Sequence, residues 1–207
     1  MSAKEDTEEE TKKKKKCCSS MIASGGEVKF LTRCKEKADF NQYWYSANTI
    51  RALVNECAAH GKRIACMSTP SIFFSMDPEK QKAGALFDFD NKFKRKAGDS
   101  FFKYDFNAPE DIPEKFRGKY DFLVIDPPFI TKEVWEKYAI AAKSLITPTG
   151  GKILLTTIDE NEELIKKLLG CSRRKFRPLI PHLVYQYSIY TNYESDALET
   201  TNSEIGF

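Results

Sequence analysis

The chain has 207 residues, of which 41% are hydrophobic and 30% are charged, which is typical of one globular domain with a substantial core. The formal net charge of +3 neither requires nor excludes a nucleic-acid partner. No apolar run approaches the roughly 18 residues that a membrane-spanning helix needs. The charged N-terminal residues do not resemble a secretory signal. We therefore expect an intracellular, cytoplasmic protein.

The N-terminal segment is highly charged and contains few apolar residues. An acidic block, Glu8–Glu10, is followed by a lysine run, Lys12–Lys16. Such a segment buries too little apolar surface to offset the entropy lost on ordering it. We predict that residues 1–27 form a disordered tail and that residues 28–207 form the folded domain. The lysine run could be a solvated tail, a nuclear signal or an RNA-attracting arm.

The cysteines lack the spacing of a metal site. None forms a Cys-x-x-Cys pair, and the two histidines, His60 and His182, lie far apart in sequence. Structural zinc sites use ligands paired at short spacing. We therefore expect reduced thiols, no bound metal and no disulfides. The cysteines are Cys17, Cys18, Cys34, Cys57, Cys66 and Cys171.

From Val28 onward, predicted helices and strands alternate. Ser46 is a candidate N-cap of the first helix and Gly61 a candidate stop, while Thr131 and Gly170 have these roles in later helices. The predicted helices span 46–60, 71–76, 131–146 and 161–170. The predicted strands span 63–68, 85–90, 100–106, 120–126 and 152–157, followed by two late β segments at 175–180 and 182–193.

This alternation predicts an α/β domain with a mostly parallel sheet. The strands are apolar with little alternation, which fits a sheet covered on both faces. The two late β segments follow each other closely. They could form an antiparallel hairpin at one edge of the sheet.

Polar residues stand at the carboxyl ends of the predicted strands, where open α/β sheets bind ligands. They are Ser68–Ser71, Asp88, Asp90, Asp105, Asp126, Thr156 and Thr157. Acids commonly mark strand exits, but acids ending three successive strands predict a nucleoside site, because carboxylates accept hydrogen bonds from a ribose diol or an exocyclic amine. No phosphate-binding glycine loop follows the first strand, which disfavours NAD and ATP. A nucleoside cofactor without a diphosphate remains.

The fourth strand runs into Asp126-Pro127-Pro128-Phe129. The two prolines hold a rigid extended turn, and neither has an N–H group, so their carbonyls can face a ligand. Asp126 and a proline carbonyl then offer two acceptors to a nitrogen that carries hydrogens. Phe129 adds a π-face suited to a planar base or a cation. The turn is therefore suited to presenting an amine to an electrophile.

This turn resembles the [DNS]PP[YFW] motif of amino-group methyltransferases that use S-adenosylmethionine, which act on adenine N-6, cytosine N-4, glutamine or lysine. Further segments narrow the resemblance to the elongation factor 1-alpha lysine methyltransferase family, first labelled N-6 adenine-specific DNA methyltransferase-like. The resemblance covers residues 38–193 in order. Its segments are 40–46 (FNQYWYS), 63–71 (RIACMSTPS), 87–93, 101–113, 121–129 and 151–157.

The resemblance implies a Rossmann-like class I methyltransferase domain that transfers a methyl group from S-adenosylmethionine to a lysine of elongation factor 1-alpha. The implied catalytic residues, which would hold the acceptor nitrogen, are Asp126, Pro127, Pro128 and Phe129. The turn implied to lie beneath the methionine part of the cofactor is Ser68, Thr69, Pro70 and Ser71.

Other implied roles concern the nucleoside and the substrate. Asp90, or else Asp88, would bind the ribose hydroxyls. Asp105 would reach the adenine amine, with Tyr104 or Phe106 packing nearby. The residues implied as a lid or substrate wall are Tyr43, Trp44 and Tyr45, for which packing against the first helix is the alternative.

Two other functions stay open from the sequence. An N-6 adenine methyltransferase would use the Asp126–Phe129 turn to grip an unstacked base. In that case Lys12–Lys16 and Arg173–Arg177 would track phosphates. A catalytically silent methyltransferase fold that serves as a binding subunit is the third possibility, and the intact Asp126–Phe129 turn disfavours it.

Overall fold

The structure, a computed structural model, describes residues 28–205, so the predicted disordered tail lies outside the described residues. The α-helices are α1 (Lys29–Arg33), α2 (Ala47–His60), α3 (Pro70–Phe73), α4 (Pro78–Ala83), α5 (Lys94–Ala97), α6 (Lys132–Leu145) and α7 (Glu162–Leu169). The strands are β1 (Ile64–Met67), β2 (Ala85–Asp88), β3 (Phe101–Lys103), β4 (Phe122–Ile125), β5 (Lys152–Thr157), β6 (Ser172–Arg173) and β7 (Ser188–Thr191).

The strands form one sheet in the order β3-β2-β1-β4-β5-β7-β6. The first five strands in this order are parallel, and β7 runs antiparallel to both β5 and β6. The predicted α/β fold, mostly parallel with an antiparallel C-terminal edge, is confirmed. Chain order reverses between β1 and β4, which opens a crevice at the carboxyl ends of these strands.

The predicted hairpin between residues 175–180 and 182–193 is wrong, because the strand that pairs at this edge is a different one. Residues 175–180 are not a strand, and β7 pairs instead with β6, which is only two residues long. Pro178 and Pro181 interrupt the region between β6 and β7, and a proline cannot donate to a strand ladder. The strand predicted over 182–193 therefore shrinks to Ser188–Thr191.

Apolar side chains project from both faces of the sheet, as predicted from strands that show little alternation of apolar and polar residues. In β1, Ile64 and Cys66 pack in one core cluster, and Ala65 and Met67 pack in the other. The first cluster includes α2 through Ile50, Leu53, Val54 and Cys57, and the second includes α6 through Trp135, Tyr138, Ala142 and Leu145. The core thus fixes both layers and leaves the crevice at the carboxyl edge.

Helix caps position the segments beside this crevice. The Ser46 hydroxyl accepts a hydrogen bond from the Thr49 N–H at 3.1 Å and begins α2 there. Since α2 ends next to the start of β1, its N-terminus lies at the carboxyl edge of the sheet. Gly61 makes the return tight, because a Cβ at this position would lie 2.7 Å from Ile64 Cγ1. No helix among residues 28–205 is long and apolar enough to cross a membrane.

Candidate active site

A cleft of about 260 Å³ lies at the carboxyl ends of β1 to β4. Of the predicted site residues, those that line it are Tyr43, Trp44, Ser68, Pro70, Asp88, Asp90, Tyr104, Asp105, Phe106, Asp126, Pro127, Pro128 and Phe129. Thr69, Ser71 and Tyr45 are buried and do not line the cleft. The structure therefore brings together residues from four strand ends and from the segment before α2.

The turn after β1 is built around Ser68. Its φ of 55° lies in the left-handed region, which a non-glycine residue seldom adopts. The Ser68 N–H donates to the Phe87 carbonyl at 2.8 Å, and its hydroxyl lies 2.6 Å from the Tyr138 hydroxyl. These two contacts hold the turn in place. Thr69 lies behind it, with its hydroxyl 3.4 Å from the Val124 carbonyl.

Two acids near the end of β2 have different surroundings. The Asp90 carboxylate is bound by the ammonium groups of Lys37 at 2.9 Å and Lys92 at 3.1 Å. Burial raises the pKa of Asp90, but these lysines outweigh it and hold that pKa below its usual value. Asp88 accepts one hydrogen bond, from the Asp90 N–H at 2.8 Å, and burial raises its pKa to about 7. Asp88, not Asp90, retains acceptor capacity toward the cleft.

The end of β3 contributes an unpaired hydroxyl and an acid. Tyr104 is 2% exposed, and its hydroxyl has no hydrogen-bond partner within the part of the chain that the structure describes. Asp105 accepts from the Asn107 N–H at 2.9 Å and faces the cleft. Phe89, half exposed, lies between the two β2 acids in sequence. It offers a flat apolar face beside them.

The acceptor turn follows β4. The Asp126 N–H donates to the Met67 carbonyl at 3.1 Å, which ties the turn to β1. One carboxylate oxygen accepts from the Thr156 hydroxyl at 3.0 Å, and that hydroxyl lies 2.6 Å from the Tyr45 hydroxyl. Burial raises the pKa of Asp126 to about 6, with the hydrogen bonds of Tyr45 and Thr156 opposing this rise. Phe129 is 49% exposed at the mouth of the cleft.

Residues 37–42, hereafter the strap, cross the cleft between the turn after β4 and the acids near the end of β2. The Asn41 side-chain amide donates to the Pro128 carbonyl, and Asn41 itself adopts a left-handed φ of 50°. At the other half, Lys37 binds Asp90. Beyond the strap, Trp44 is 7% exposed, and its indole N–H donates to the Cys34 carbonyl at 3.0 Å. Trp44 therefore packs in the core while one side of it lines the cleft.

The donor set of the cleft fits S-adenosylmethionine. Asp88 and Asp105 supply carboxylate acceptors for a ribose diol and an exocyclic amine, and the Tyr104 hydroxyl lacks a partner that a ligand could supply. Acids also complement a sulfonium cation. Lys37 in the strap and Lys92 after β2 already bind Asp90, so they do not form a phosphate site. Among the described residues, no group of three or more His, Cys, Asp or Glu side chains could hold a metal.

The fold and this cleft define a class I methyltransferase that uses S-adenosylmethionine. The family described as "Probable N6-adenine methyltransferase" matches residues 36–195. The EEF1A lysine methyltransferase 1 of Mus musculus is 34% identical over 168 residues, covering 78% of this chain and 77% of the relative. The chain belongs to this methyltransferase family.

Two further comparisons extend these matches. The Protein-lysine N-methyltransferase EFM5 of Saccharomyces cerevisiae is 31% identical over 181 residues, covering 77% of this chain and 73% of the relative. The O-methyltransferase TomG from Streptomyces achromogenes, solved in complex with SAM, is 11% identical with a TM-score of 0.46. That likeness covers 78% of this chain and 92% of TomG.

Sequence reasoning missed several residues of the cleft wall. The sequence could have identified Phe89 as a cleft residue, because it lies between two candidate ribose-binding acids. Tyr138 had a weaker signal, since its position on the predicted helix 131–146 marked it only as a core residue. Residues 40–42 of the strap belong to segment 40–46 of the resemblance, but the sequence did not indicate their contact with the cleft, because Asn41 and Pro128 lie far apart in sequence.

Proposed function

We propose that this protein is an S-adenosylmethionine-dependent lysine methyltransferase whose substrate is translation elongation factor 1-alpha. The observation that carries the proposal is Asp126, partly buried and followed by Pro127-Pro128-Phe129, at the wall of a cleft that fits the cofactor. The name of the mouse relative supports this acceptor, and the name of the yeast relative supports a protein lysine as the methylated group. We also propose a cytoplasmic location, because elongation factors work in the cytoplasm.

The chain's residues must prepare a lysine that is normally protonated. S-adenosylmethionine supplies an electrophilic methyl group on its sulfonium. A free lysine has a pKa of about 10.4, so at neutral pH its nitrogen lacks a free lone pair. The aromatic rings of Phe129 and Trp44 remove water from around the ε-nitrogen, which favours the neutral amine. Asp126 then orients that nitrogen, and alignment supplies most of the rate.

Asp126 acts here as an acceptor and a counter-charge, not as a strong base. With a pKa of about 6, its carboxyl is mostly ionised at pH 7 and above. An ionised carboxylate accepts hydrogen bonds from the amine and stabilises the positive charge that methylation leaves on nitrogen. The carbonyls of the following prolines offer additional acceptors.

In the cofactor half, the structure favours Asp88 over Asp90 as the ribose ligand. Asp90 is occupied by Lys37 and Lys92, whereas no hydrogen bond from residues 28–205 reaches the second oxygen of Asp88. Asp105 would accept from the adenine amine. The exposed face of Phe89 would pack against the base, and the Tyr104 hydroxyl would gain a partner from the ligand.

Ion pairs in the basic segment disfavour the nucleic-acid alternative. Arg173 and Arg177 both bind Asp159, at 3.1 Å and 2.7 Å. Arg174 is buried and binds Glu194 at 2.5 Å. Arginines that are held by carboxylates are poorly placed to track phosphates. The lysine run Lys12–Lys16 lies outside the described residues.

The test is a labelled methyl transfer from S-adenosylmethionine with purified protein and a translation-active lysate, split afterwards between protease and nuclease. We expect label that survives nuclease on a band of the size of elongation factor 1-alpha. Recombinant factor with its lysines acetylated beforehand serves as the control acceptor, because an acetylated lysine has no nucleophilic amine. Loss of the label on nuclease treatment would show that the acceptor is a nucleic acid, and the protein would then be an adenine methyltransferase. No label together with no cofactor binding by calorimetry would make it a binding subunit.

A further inference from the structure

We infer that Thr156 and Tyr45 are positioning residues, a buried hydroxyl pair that fixes the orientation and charge of the Asp126 carboxylate. This inference rests on the proposed function, because it assigns a role to the residues behind the proposed acceptor group. Thr156 is the penultimate residue of β5, before Thr157, and Tyr45 precedes the N-cap of α2.

The two hydroxyls form a directed chain toward Asp126. The Thr156 hydroxyl lies 3.0 Å from Asp126 Oδ1, and an ionised carboxylate can only accept, so Thr156 donates. Its single hydrogen is then used, so the Tyr45 hydroxyl, 2.6 Å from the Thr156 oxygen, donates either to that oxygen or to the Asp126 carboxylate, which it also contacts. Hydrogen bonds in such a chain polarise and strengthen one another.

Burial makes this chain rigid. Tyr45 is 2% exposed and Thr156 is 1% exposed, so water does not compete for either hydroxyl. Three separate elements meet here: the segment before α2, the end of β4 and the end of β5. A carboxylate held from β5 and α2 cannot rotate freely when the acceptor nitrogen enters from the cleft.

The same chain affects the charge of Asp126. Burial alone would favour the neutral acid, and hydrogen bonds donated to the carboxylate oppose this. The other titratable groups that face Asp126 are Tyr138 from α6 and Tyr187 from the loop before β7. Burial raises the pKa of both tyrosines, so they stay neutral and add no charge. Thr156 and Tyr45 are therefore the groups that keep Asp126 ionised near neutral pH.

Thr157 provides a matched control on the same strand. Its side chain leaves the opposite face of β5 and accepts from the Trp135 indole N–H at 3.2 Å and the Asn161 amide at 3.0 Å. It is as buried as Thr156, and within residues 28–205 its hydroxyl binds Trp135 and Asn161 rather than the Asp126–Phe129 turn. A Thr→Val change at either position removes one buried hydroxyl and keeps the shape of the side chain.

The experiment compares Thr156→Val, Thr156→Ser and Thr157→Val in the full-length protein. The Asp126 carboxyl carbon is titrated by ¹³C NMR in each variant. The kcat and KM of methyl transfer are measured with the unmethylated acceptor, and cofactor binding is measured by calorimetry. We expect Thr156→Val to move the Asp126 titration to higher pH and to lower kcat about tenfold, with cofactor affinity unchanged. Thr156→Ser should restore both values, and Thr157→Val should leave the titration in place.

The NMR titration separates this inference from the proposed function, because it needs no turnover. An Asp126 titration that is the same in wild type and Thr156→Val would overturn the inference, whatever the acceptor proves to be. An equal shift in Thr157→Val would also overturn it, since a general loosening of β5 would then explain the result. A shifted titration with no lysine methylation would uphold the hydroxyl pair and refute the proposed substrate.

Discussion

Over β2 and β3 the cleft contains a buried hydroxyl that lacks a partner among residues 28–205, whereas over β4 and β5 buried hydroxyls already bind the acceptor carboxylate. In the first half, Asp88 has an unused oxygen and the Tyr104 hydroxyl has no partner among residues 28–205. In the second half, Asp126 is already held by Thr156. A cofactor can supply missing contacts when it binds, but an acceptor nitrogen must meet a group that is already oriented. This difference fits a cleft in which the β2–β3 half binds the cofactor and the β4–β5 half aligns the acceptor nitrogen.

Asp126→Asn should break the aligning half and leave the binding half intact. The amide keeps the shape but removes the charge that stabilises the methylated amine. We expect kcat to fall about 10²- to 10³-fold while cofactor affinity stays within about twofold. Steady-state kinetics and calorimetry check this. The matched control is Asp121→Asn, because Asp121 only accepts backbone N–H groups from Lys62 and Arg63. Full turnover in Asp126→Asn would refute the assignment.

Asp88→Asn should do the reverse. A hydrogen bond from a ribose hydroxyl to a carboxylate contributes about 1.5–3 kcal/mol, so its loss should weaken cofactor binding about tenfold or more. We expect kcat at saturating cofactor to change little. Asp90→Asn is the comparison variant and should have the smaller effect in calorimetry. A larger loss of affinity in Asp90→Asn would return the ribose role to Asp90.

The pH dependence of cofactor binding should identify the same carboxyl. Asp88 has a pKa of about 7 in the protein, and its ionised form is the better acceptor. Affinity should therefore rise between pH 6 and pH 8, by up to about tenfold. Calorimetry at several pH values would show the rise in the wild type and a flatter profile in Asp88→Asn. A profile of equal steepness in that variant would place the titrating group elsewhere.

The smallest effects should appear in the stability of the cofactor-free protein, with opposite signs for the two β2 acids. The pKa of Asp88 is raised above its unfolded value, so the folded state binds the extra proton and stability falls as pH rises from about 4 to about 7. Asp88→Asn should thus raise the melting temperature at pH 8. Asp90→Asn weakens the contacts with Lys37 and Lys92 and should cost about 1 kcal/mol. Thermal unfolding at pH 8 measures both, and equal signs would contradict the contrast.

Much of the fold followed from local patterns. The helix predicted over 131–146 appears as Lys132–Leu145 with Thr131 as its cap, and the acids of the strand ends meet because parallel strands share a carboxyl edge. The choice between Asp88 and Asp90 could not be made from sequence, because it depends on Lys37 crossing the cleft. Tyr45 looked like a wall residue, and only the structure shows its hydroxyl pointing to Thr156.

The position of β7 has a consequence for how the chain folds during synthesis. β7 inserts between β5 and β6, although it follows both of them in the chain. Until Ser188–Thr191 leaves the ribosome, β5 therefore presents an open edge with the apolar residues Ile153 to Leu155 on it. Unpaired apolar edges of this kind recruit other strands and aggregate. The sheet is therefore completed only when β7, the last strand in the chain among the described residues, pairs with β5.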